Sequence, residues 1–251
     1  MFIDTHCHLS LDYYDDIDKV LNDNHDMGVS KIIVSGCDKK GIKESLFFVN
    51  KYSDIYASIG YHPDSVEEVV QKDLVELEEY IKNNKKVLAI GEIGLDYHYV
   101  KDNKDLQISL FERQLALSEK LTLPVVIHSR DATEDTIKIL SKYKVKGVIH
   151  CFSGSLDTAK IYIKMGFKLG IGGVLTFKNS KLCEVVQNIS LSDIVLETDS
   201  PYLAPDPFRG SVNTSKNIPI IAKKIADIKG ISVEEVASVT SENAIHVFFS
   251  N

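Results

Sequence analysis

Short continuous runs of apolar and β-branched residues recur along the chain and predict eight β-strands. Most of these runs are unbroken Val, Ile and Leu rather than alternating apolar and polar residues. Unbroken runs are expected for strands that are covered on both faces, as in a parallel sheet flanked by helices. The runs occupy residues 2–5, 31–34, 55–59, 87–90, 124–127, 147–149, 167–171 and 194–197.

Amphipathic patterns between and after the apolar runs predict helices. In the segment 73–83, for example, Leu74, Leu77 and Ile81 fall on one helical stripe. Asp73 and Ser155 are of the residue types that cap helix N-termini, and we expect them to do so. The helical segments predicted in this way are 73–83, 106–121, 137–143, 156–165, 218–229 and 233–249.

Eight strands that alternate with helices favour a (β/α)8 TIM barrel, with the last two helical segments as extra C-terminal helices. A doubly wound parallel sheet is the alternative arrangement of the same elements. The chain of 251 residues suits one barrel domain, residues 1–251, because such barrels commonly contain ~200–250 residues. It shows no internal repeat, low-complexity segment or linker.

Composition and charge narrow the class of protein. Hydrophobic residues make up 44% and charged residues 26%, which is typical of a globular enzyme. The net charge of -7 argues against a broad nucleic-acid-binding face, but leaves room for a small basic pocket. The N-terminal segment has no leader pattern, no apolar run is long enough to span a membrane, and the four cysteines form no CxxC pair. We therefore expect a cytoplasmic protein that is not bound to a membrane.

Residues that can bind metal ions or carry chemistry lie at the ends of five predicted strands. The carboxyl ends of strands form the active face of a barrel, so residues that are far apart in sequence are expected to converge there. A single such residue is readily explained as a helix cap or a hydrogen-bonded core residue, but six at five strand ends are not. These six predicted metal ligands are His6, His8, Glu92, His128, His150 and Asp199.

The spacing of the first two histidines has a physical meaning. Side chains at positions i and i+2 of a strand point the same way, so His6 and His8 can reach one cation. Imidazole and carboxylate together suit a divalent ion such as Zn or Mn. We predict two divalent ions (Mg, Mn or Zn), the first held by His6, His8, Glu92 and Asp199. The second is predicted to be held by Glu92, His128 and His150, with Glu92 bridging the two ions.

Seven sequence motifs give the chain a resemblance to the TatD-like deoxyribonuclease family of metal-dependent, amidohydrolase-like barrels. They occur in family order between residues 2 and 205, and they are FIDTHCHL, SIGYHPD, IGEIGLDYH, LPVVIHSRDA, GVIHCFSGS, GIGG and LETDSPYLAP. The resemblance implies a barrel with two divalent metals that hydrolyses phosphodiester bonds, usually in DNA, and it implies the same six ligands. The chain has Asn213, Thr214 and Ser215 where the family often has Asn-Glu-Pro, so no role carries over to this loop.

The predicted reaction is hydrolysis of a phosphodiester in DNA, single-stranded or at an end, and no protein partner is inferred. Two divalent ions can activate water and neutralise the charge that develops on phosphate. We assign the catalytic roles to Asp199, as proton acceptor and ligand, and to Glu92. The predicted substrate contacts, two of which are arginines whose planar fork matches phosphate, are His62, Arg130, Ser153 and Arg209.

Two other functions remain open from the sequence. The first is hydrolysis of a cyclic amide, a lactone or another small C–N or C–O substrate. Many such barrels bridge their metals with a carboxylated lysine, whereas the fourth apolar run here is followed by Glu92. The second is a metal-stabilised barrel without catalytic activity, which the placement of the ligands at strand ends disfavours. RNA is the alternative to DNA as the substrate of the predicted phosphodiesterase.

Overall fold

A computed structural model describes residues 1–98 and 102–250. Within these residues the chain forms eight β-strands and nine α-helices, and each strand is followed along the chain by an α-helix, with two α-helices after the last strand. The strands are β1 (Phe2–Cys7), β2 (Val29–Gly36), β3 (Ile55–Ile59), β4 (Val87–Asp96), β5 (Val125–Arg130), β6 (Gly147–Ile149), β7 (Phe167–Ile171) and β8 (Ile194–Leu196). The helices are α1 (Ile17–Asp26), α2 (Lys39–Lys51), α3 (Gln71–Asn83), α4 (Lys104–Leu121), α5 (Thr133–Leu140), α6 (Leu156–Lys164), α7 (Leu182–Asn188), α8 (Ile218–Lys229) and α9 (Val233–Phe248).

The order of the strands in the sheet decides between the two predicted topologies. Among the described residues the sheet has eight strands in strict sequence order, β1 to β8. The strand pairs β1–β2, β3–β4, β4–β5, β5–β6 and β7–β8 are parallel. A doubly wound sheet reverses its strand order at a switch point, and no reversal occurs here. The fold is the predicted (β/α)8 TIM barrel, and the extra C-terminal helices α8 and α9 are present.

The described residues group into two compact units, and we describe each by itself. The first unit comprises residues 1–34 and 151–250. In it, α9 packs against β1 and β8, with Val236, Ala244 and Phe248 buried. These apolar side chains occur at helical spacing, and their burial against the strands accounts for the predicted amphipathic stripe.

The second unit comprises residues 35–150, apart from the undescribed residues 99–101. Its longest helix, α4, packs on β4 and buries Leu110, Phe111 and Leu115. Gln114 lies among them with no exposed surface, because its side chain accepts from the backbone N–H of Tyr61 at 2.8 Å and donates to the carbonyl of the same residue at 2.9 Å. A buried amide that is fully hydrogen-bonded fixes the segment after β3 without a cost for unmet polar groups.

Several predicted bounds differ from the structure. The prediction that Asp73 is the N-cap residue of α3 is wrong. The helix begins at Gln71, and Asp73 is its third residue, whose carboxylate accepts from the backbone N–H of Val70 at 2.8 Å. Ser155 does cap α6, by accepting from the backbone N–H of Thr158. Helix α5 begins four residues before the predicted segment 137–143, because the acidic first turn of the helix, with Glu134 and Asp135, carries no apolar signal. None of the helices in residues 1–98 and 102–250 combines the length and apolarity that crossing a bilayer needs.

Candidate metal centre

The first unit holds three of the predicted ligands in one group, which we call the β1/β8 cluster: His6, His8 and Asp199. His6 is buried in β1 and His8 lies directly after the strand, and their Nε2 atoms are 3.2 Å apart. The Asp199 Oδ1 atom lies 3.6 Å from Nε2 of His6 and 3.4 Å from Nε2 of His8. The predicted pairing of i and i+2 side chains therefore occurs, and a carboxylate from the segment after β8 completes the group.

The backbone at Asp199 adopts an unusual conformation that holds this carboxylate in place. Its φ of 55° lies in the left-handed region, which aspartate tolerates better than most residues that have a Cβ atom. The backbone N–H of Asp199 donates to the carbonyl of His6 at 3.0 Å, and the N–H of His8 donates to the carbonyl of Ser200. Backbone bonds in both directions thus tie the two ligand-bearing segments together.

A fully buried carboxylate that the sequence analysis did not single out lies behind this cluster. Asp4 accepts from the backbone N–H groups of His6 at 3.2 Å and Thr198 at 3.0 Å. Burial raises the pKa of Asp4 to about 7, although hydrogen bonds from Ser215 and Thr198 lower it. Asp4 holds the backbone beside both His6 and Asp199, and outer contacts of this kind orient metal ligands.

The second unit holds the other three predicted ligands, which form the β4/β5 cluster: Glu92, His128 and His150. The Oε1 atom of Glu92 lies 2.8 Å from Nδ1 of His128 and 3.5 Å from Nε2 of His150. One ligand atom from each of the three residues can be chosen so that all lie within 4.8 Å of one another. His128 belongs to β5 and His150 directly follows β6, so neighbouring strands supply the two imidazoles.

Glu92 was predicted at the end of its strand. It lies inside the strand instead, because β4 continues to Asp96. The register of β4 against β5 shifts at this point: Ile90 is opposite Val125 and Ile93 is opposite Ile127. Three residues of one strand therefore span two of the other. Such a bulge locally redirects side chains and is common beside active sites. The unbroken apolar run ends at Ile90, where Gly91 and Glu92 interrupt it, so the run did not mark the continuation of the strand.

His128 lies between two carboxylates. Its Nδ1 contacts Glu92 and its Nε2 lies 3.0 Å from Oδ2 of Asp96, which is almost fully buried. Burial opposes the charged form of the imidazole, but the hydrogen bonds with Asp96 and Glu92 outweigh this effect and raise the pKa of His128 to about 9. The sequence analysis did not assign this role to Asp96, because the contact depends on the extended register of β4 and β5.

Two further side chains lie against the β4/β5 cluster. The His62 ring contacts the His128 ring edge-on, with centroids 4.4 Å apart, and His62 Nε2 is 3.9 Å from Glu92 Oε1. Cys37, which was not predicted, follows β2 and places its Sγ atom 3.6 Å from Oε2 of Glu92. The thiol at this distance donates weakly to the carboxylate and helps to fix its orientation.

The three other predicted substrate contacts lie outside both clusters. Arg130 is exposed at the last position of β5, two residues after His128 and opposite Asp96 in the strand register. Ser153 is exposed, three residues after His150. The Arg209 guanidinium lies over the ring of Phe177, 4.2 Å from its centroid. Contact of these three residues with a substrate stays a prediction.

Each cluster has the donor chemistry that a divalent ion requires. Both combine imidazole nitrogens with a carboxylate, a set that suits Zn, Mn or similar ions. In the β1/β8 cluster the three donor atoms lie between 3.2 and 3.6 Å apart and so face a common point. The two clusters can therefore hold metal ions. The contact of Asp96 with His128 is of the kind that orients a histidine ligand from outside the metal site.

Several known proteins that are similar to this chain belong to one family, and the similarity extends over nearly all of its residues. The model of the family described as TatD related DNase matches residues 3–249. The uncharacterized metal-dependent hydrolase YabD of Bacillus subtilis is 41% identical, with 100% of both chains covered. The crystal structure of YjjV, a TatD homologue of Escherichia coli, has a TM-score of 0.92 at 30% identity, covering 100% of this chain and 98% of that one. A TatD-family hydrolase from Entamoeba histolytica has a TM-score of 0.88 at 27% identity, with the same coverage.

Proposed function

Because the chain belongs to the TatD-related DNase family, we propose that it is a metal-dependent hydrolase that cleaves phosphodiester bonds in DNA. The observation that carries the proposal is the pair of clusters, each of which joins imidazole nitrogens to a carboxylate near the carboxyl ends of parallel strands. Active sites of TIM-barrel enzymes are built at that end. The names of the relatives, metal-dependent hydrolases, support the same chemistry.

Each cluster is proposed to hold one divalent ion, Mg, Mn or Zn. His6, His8 and Asp199 would hold the first, and Glu92, His128 and His150 would hold the second. When bound, such ions lower the pKa of a water molecule and neutralise charge on a phosphate. The bridging role of Glu92 stays a prediction.

The side chains of the β1/β8 cluster are proposed to handle the proton of the attacking water. Asp199 is the carboxylate that faces both histidines and is still partly accessible, with 15% of its side chain exposed. A carboxylate in this position can accept the proton when water attacks phosphorus and can pass it to solvent. His6 and His8 are ligands in this proposal, and the bonds of Asp4 keep the segments of His6 and Asp199 in register.

In the β4/β5 cluster the outer residues are proposed to orient the ligands and the substrate. Asp96 contacts Nε2 of His128, which fixes the rotation of that ring. His62 is proposed to contact the substrate phosphate, since it lies at the edge of the cluster with 13% of its side chain exposed. Arg130, Ser153 and Arg209 are proposed as further donors to phosphate oxygens.

Replacing Arg130 with alanine is expected to lower kcat/KM about 10- to 100-fold while metal content is retained. A charge-assisted hydrogen bond contributes roughly 1.5–3 kcal/mol, and its loss affects the rate accordingly. Arg130→Lys should recover part of the loss, because lysine supplies the charge without the planar fork. The measurement is kcat/KM together with the salt dependence of DNA binding, whose slope should flatten in the alanine variant.

Arg113 provides a matched control for this experiment. It is a half-buried arginine on α4 in the same unit, and it donates to the side chain of Gln71. Arg113→Ala should leave kcat/KM and the salt slope at wild-type values. If Arg130→Ala gave the same result as this control, Arg130 would have no part in phosphate recognition.

A substrate panel tests the proposed function as a whole. Protein reconstituted with Mg, Mn or Zn is assayed on single-stranded DNA, duplex DNA, RNA and small phosphodiesters, and in parallel on cyclic amides and lactones. We expect turnover of DNA. Turnover confined to amides or lactones would favour the amidohydrolase function, and stable metal binding with no turnover would favour a non-catalytic barrel. We also propose that the protein acts on DNA in the cytoplasm and that residues 1–251 form one domain.

A further inference from the structure

Two exposed tyrosines lie beside the β1/β8 cluster, within the same unit. Tyr13 has 46% and Tyr202 has 49% of its surface exposed, and their hydroxyl groups are 2.9 Å apart. Their rings are 5.9 Å apart at 75°, and the Tyr202 ring meets the ring of His8 edge-on at 6.0 Å. Two large aromatic rings are thus presented to solvent next to a proposed metal ligand.

Hydrogen bonds to one buried asparagine hold both tyrosine segments. The side chain of Asn213 donates to the carbonyl of Tyr202 at 2.8 Å and to that of Thr198 at 3.0 Å. The hydroxyl of Tyr14, the buried neighbour of Tyr13, donates to the carbonyl of Asn213 at 2.8 Å. The segments that carry the two rings are therefore held in place, and a ligand that stacks on the rings does not have to order a loop first.

The charges around the pair restrict what it can bind. Asp12, Asp15 and Asp16 flank Tyr13 in the sequence and are all exposed. This acidic segment disfavours a phosphate backbone that would run across it. An uncharged flat ring meets no such repulsion, and every nucleobase has a π-face that can stack on an aromatic side chain.

We propose that Tyr13 and Tyr202 form a stacking site for an unpaired nucleobase of the substrate, a role that rests on the proposed function. The site lies beside His8, so a base bound there places the adjoining phosphodiester next to the β1/β8 cluster. A base inside a duplex has both faces covered by its neighbours, whereas an unpaired base exposes them. The pair therefore selects single-stranded or frayed substrates.

The test is a binding measurement that does not depend on turnover. A short single-stranded oligonucleotide with methylphosphonate linkages, which are uncharged and not hydrolysed, is titrated into metal-reconstituted protein by calorimetry. The comparison ligand is the same chain with abasic sugars at every position. Stacking on an aromatic ring should make the base-bearing ligand bind about 5- to 150-fold more tightly.

Variants of the two tyrosines show whether this preference comes from the pair. Tyr202→Ala and Tyr13→Ala should each reduce the preference at least about 5-fold, whereas Tyr202→Phe should keep it because the ring remains. Phe47→Ala, which removes an exposed ring from α2 in the other unit, should keep the full preference. An equal affinity for both ligands in the wild type, or an unchanged preference in Tyr202→Ala, would overturn the proposal.

DNA turnover measured on the same protein preparations separates this proposal from the proposed function. A base preference that depends on the tyrosines, without hydrolysis of DNA, would retain the stacking site and reject the nuclease. Hydrolysis of DNA with a base preference that is insensitive to both alanine variants would retain the nuclease and reject the stacking site.

Discussion

Replacing Asp199 with asparagine is expected to lower kcat by about 10²–10⁴-fold, the range typical of a lost general base. The side chain keeps its size, and asparagine also tolerates the left-handed φ of 55° at this position. An amide oxygen can still ligate a metal weakly, but it cannot accept a proton at neutral pH. We therefore expect a variant that folds, retains much of its metal and turns over slowly. The measurement is kcat together with bound metal per chain.

The combination of these two readouts distinguishes the roles of Asp199. Wild-type turnover in Asp199→Asn would show that this carboxylate is not the essential base. Loss of both ions along with activity would leave only the ligand role supported. Asp206→Asn is a matched control in the same loop, because Asp206 is exposed and lies outside both clusters. It should retain wild-type turnover and metal content.

Replacing Glu92 with glutamine is expected to abolish measurable turnover and to remove at least one bound ion per chain. The Glu92 carboxylate contacts His128 at 2.8 Å, and His150 and His62 lie within 4 Å of it. Removal of its negative charge takes away the anionic ligand of the β4/β5 cluster. Mutation of outer contacts alone typically costs about 10- to 100-fold in metal affinity, so loss of a direct ligand should exceed that range.

Metal affinity in Glu92→Gln is measured by competition with a chromophoric chelator. Glu76→Gln serves as the control, since Glu76 lies on the exposed side of α3 and pairs with Lys72. An unchanged metal stoichiometry in Glu92→Gln would contradict the assignment of Glu92 as a ligand. Selective loss of one ion would indicate that Glu92 serves a single metal rather than both.

The fold was predictable because its signal is local. Continuous apolar runs marked all eight strands. The alternation of strands and helices favoured a barrel but also allowed a doubly wound sheet, and the strand order of the structure decides for the barrel. The predicted ends of strands and helices were wrong where polar residues form part of the element. Strand β4 continues past Ile90 through Glu92 to Asp96, and α5 begins at Thr133 with an acidic turn. Hydrophobic periodicity contains no information about buried polar residues that are kept for chemistry.

The candidate site was predictable as a set of ligand types but not as a network of contacts. The grouping of His6, His8 and Asp199 agrees with the spacing rule for strands. The contact between His128 and Asp96, however, depends on the register of β4 against β5, which a bulge shifts by one residue. The hydrogen bonds that the Asp4 carboxylate accepts from Thr198 join residues that are 194 positions apart. Such contacts follow from the tertiary fold rather than from any local pattern.

The central claim is that the two clusters hold divalent ions on which phosphodiester hydrolysis depends. The most direct measurement starts from protein stripped by a chelator, which is titrated with Mn²⁺ while hydrolysis of single-stranded DNA and bound metal per chain are followed together. The account predicts no turnover without metal and a rise in turnover that reaches its plateau at two bound ions per chain. Full turnover in exhaustively demetallated protein would contradict it.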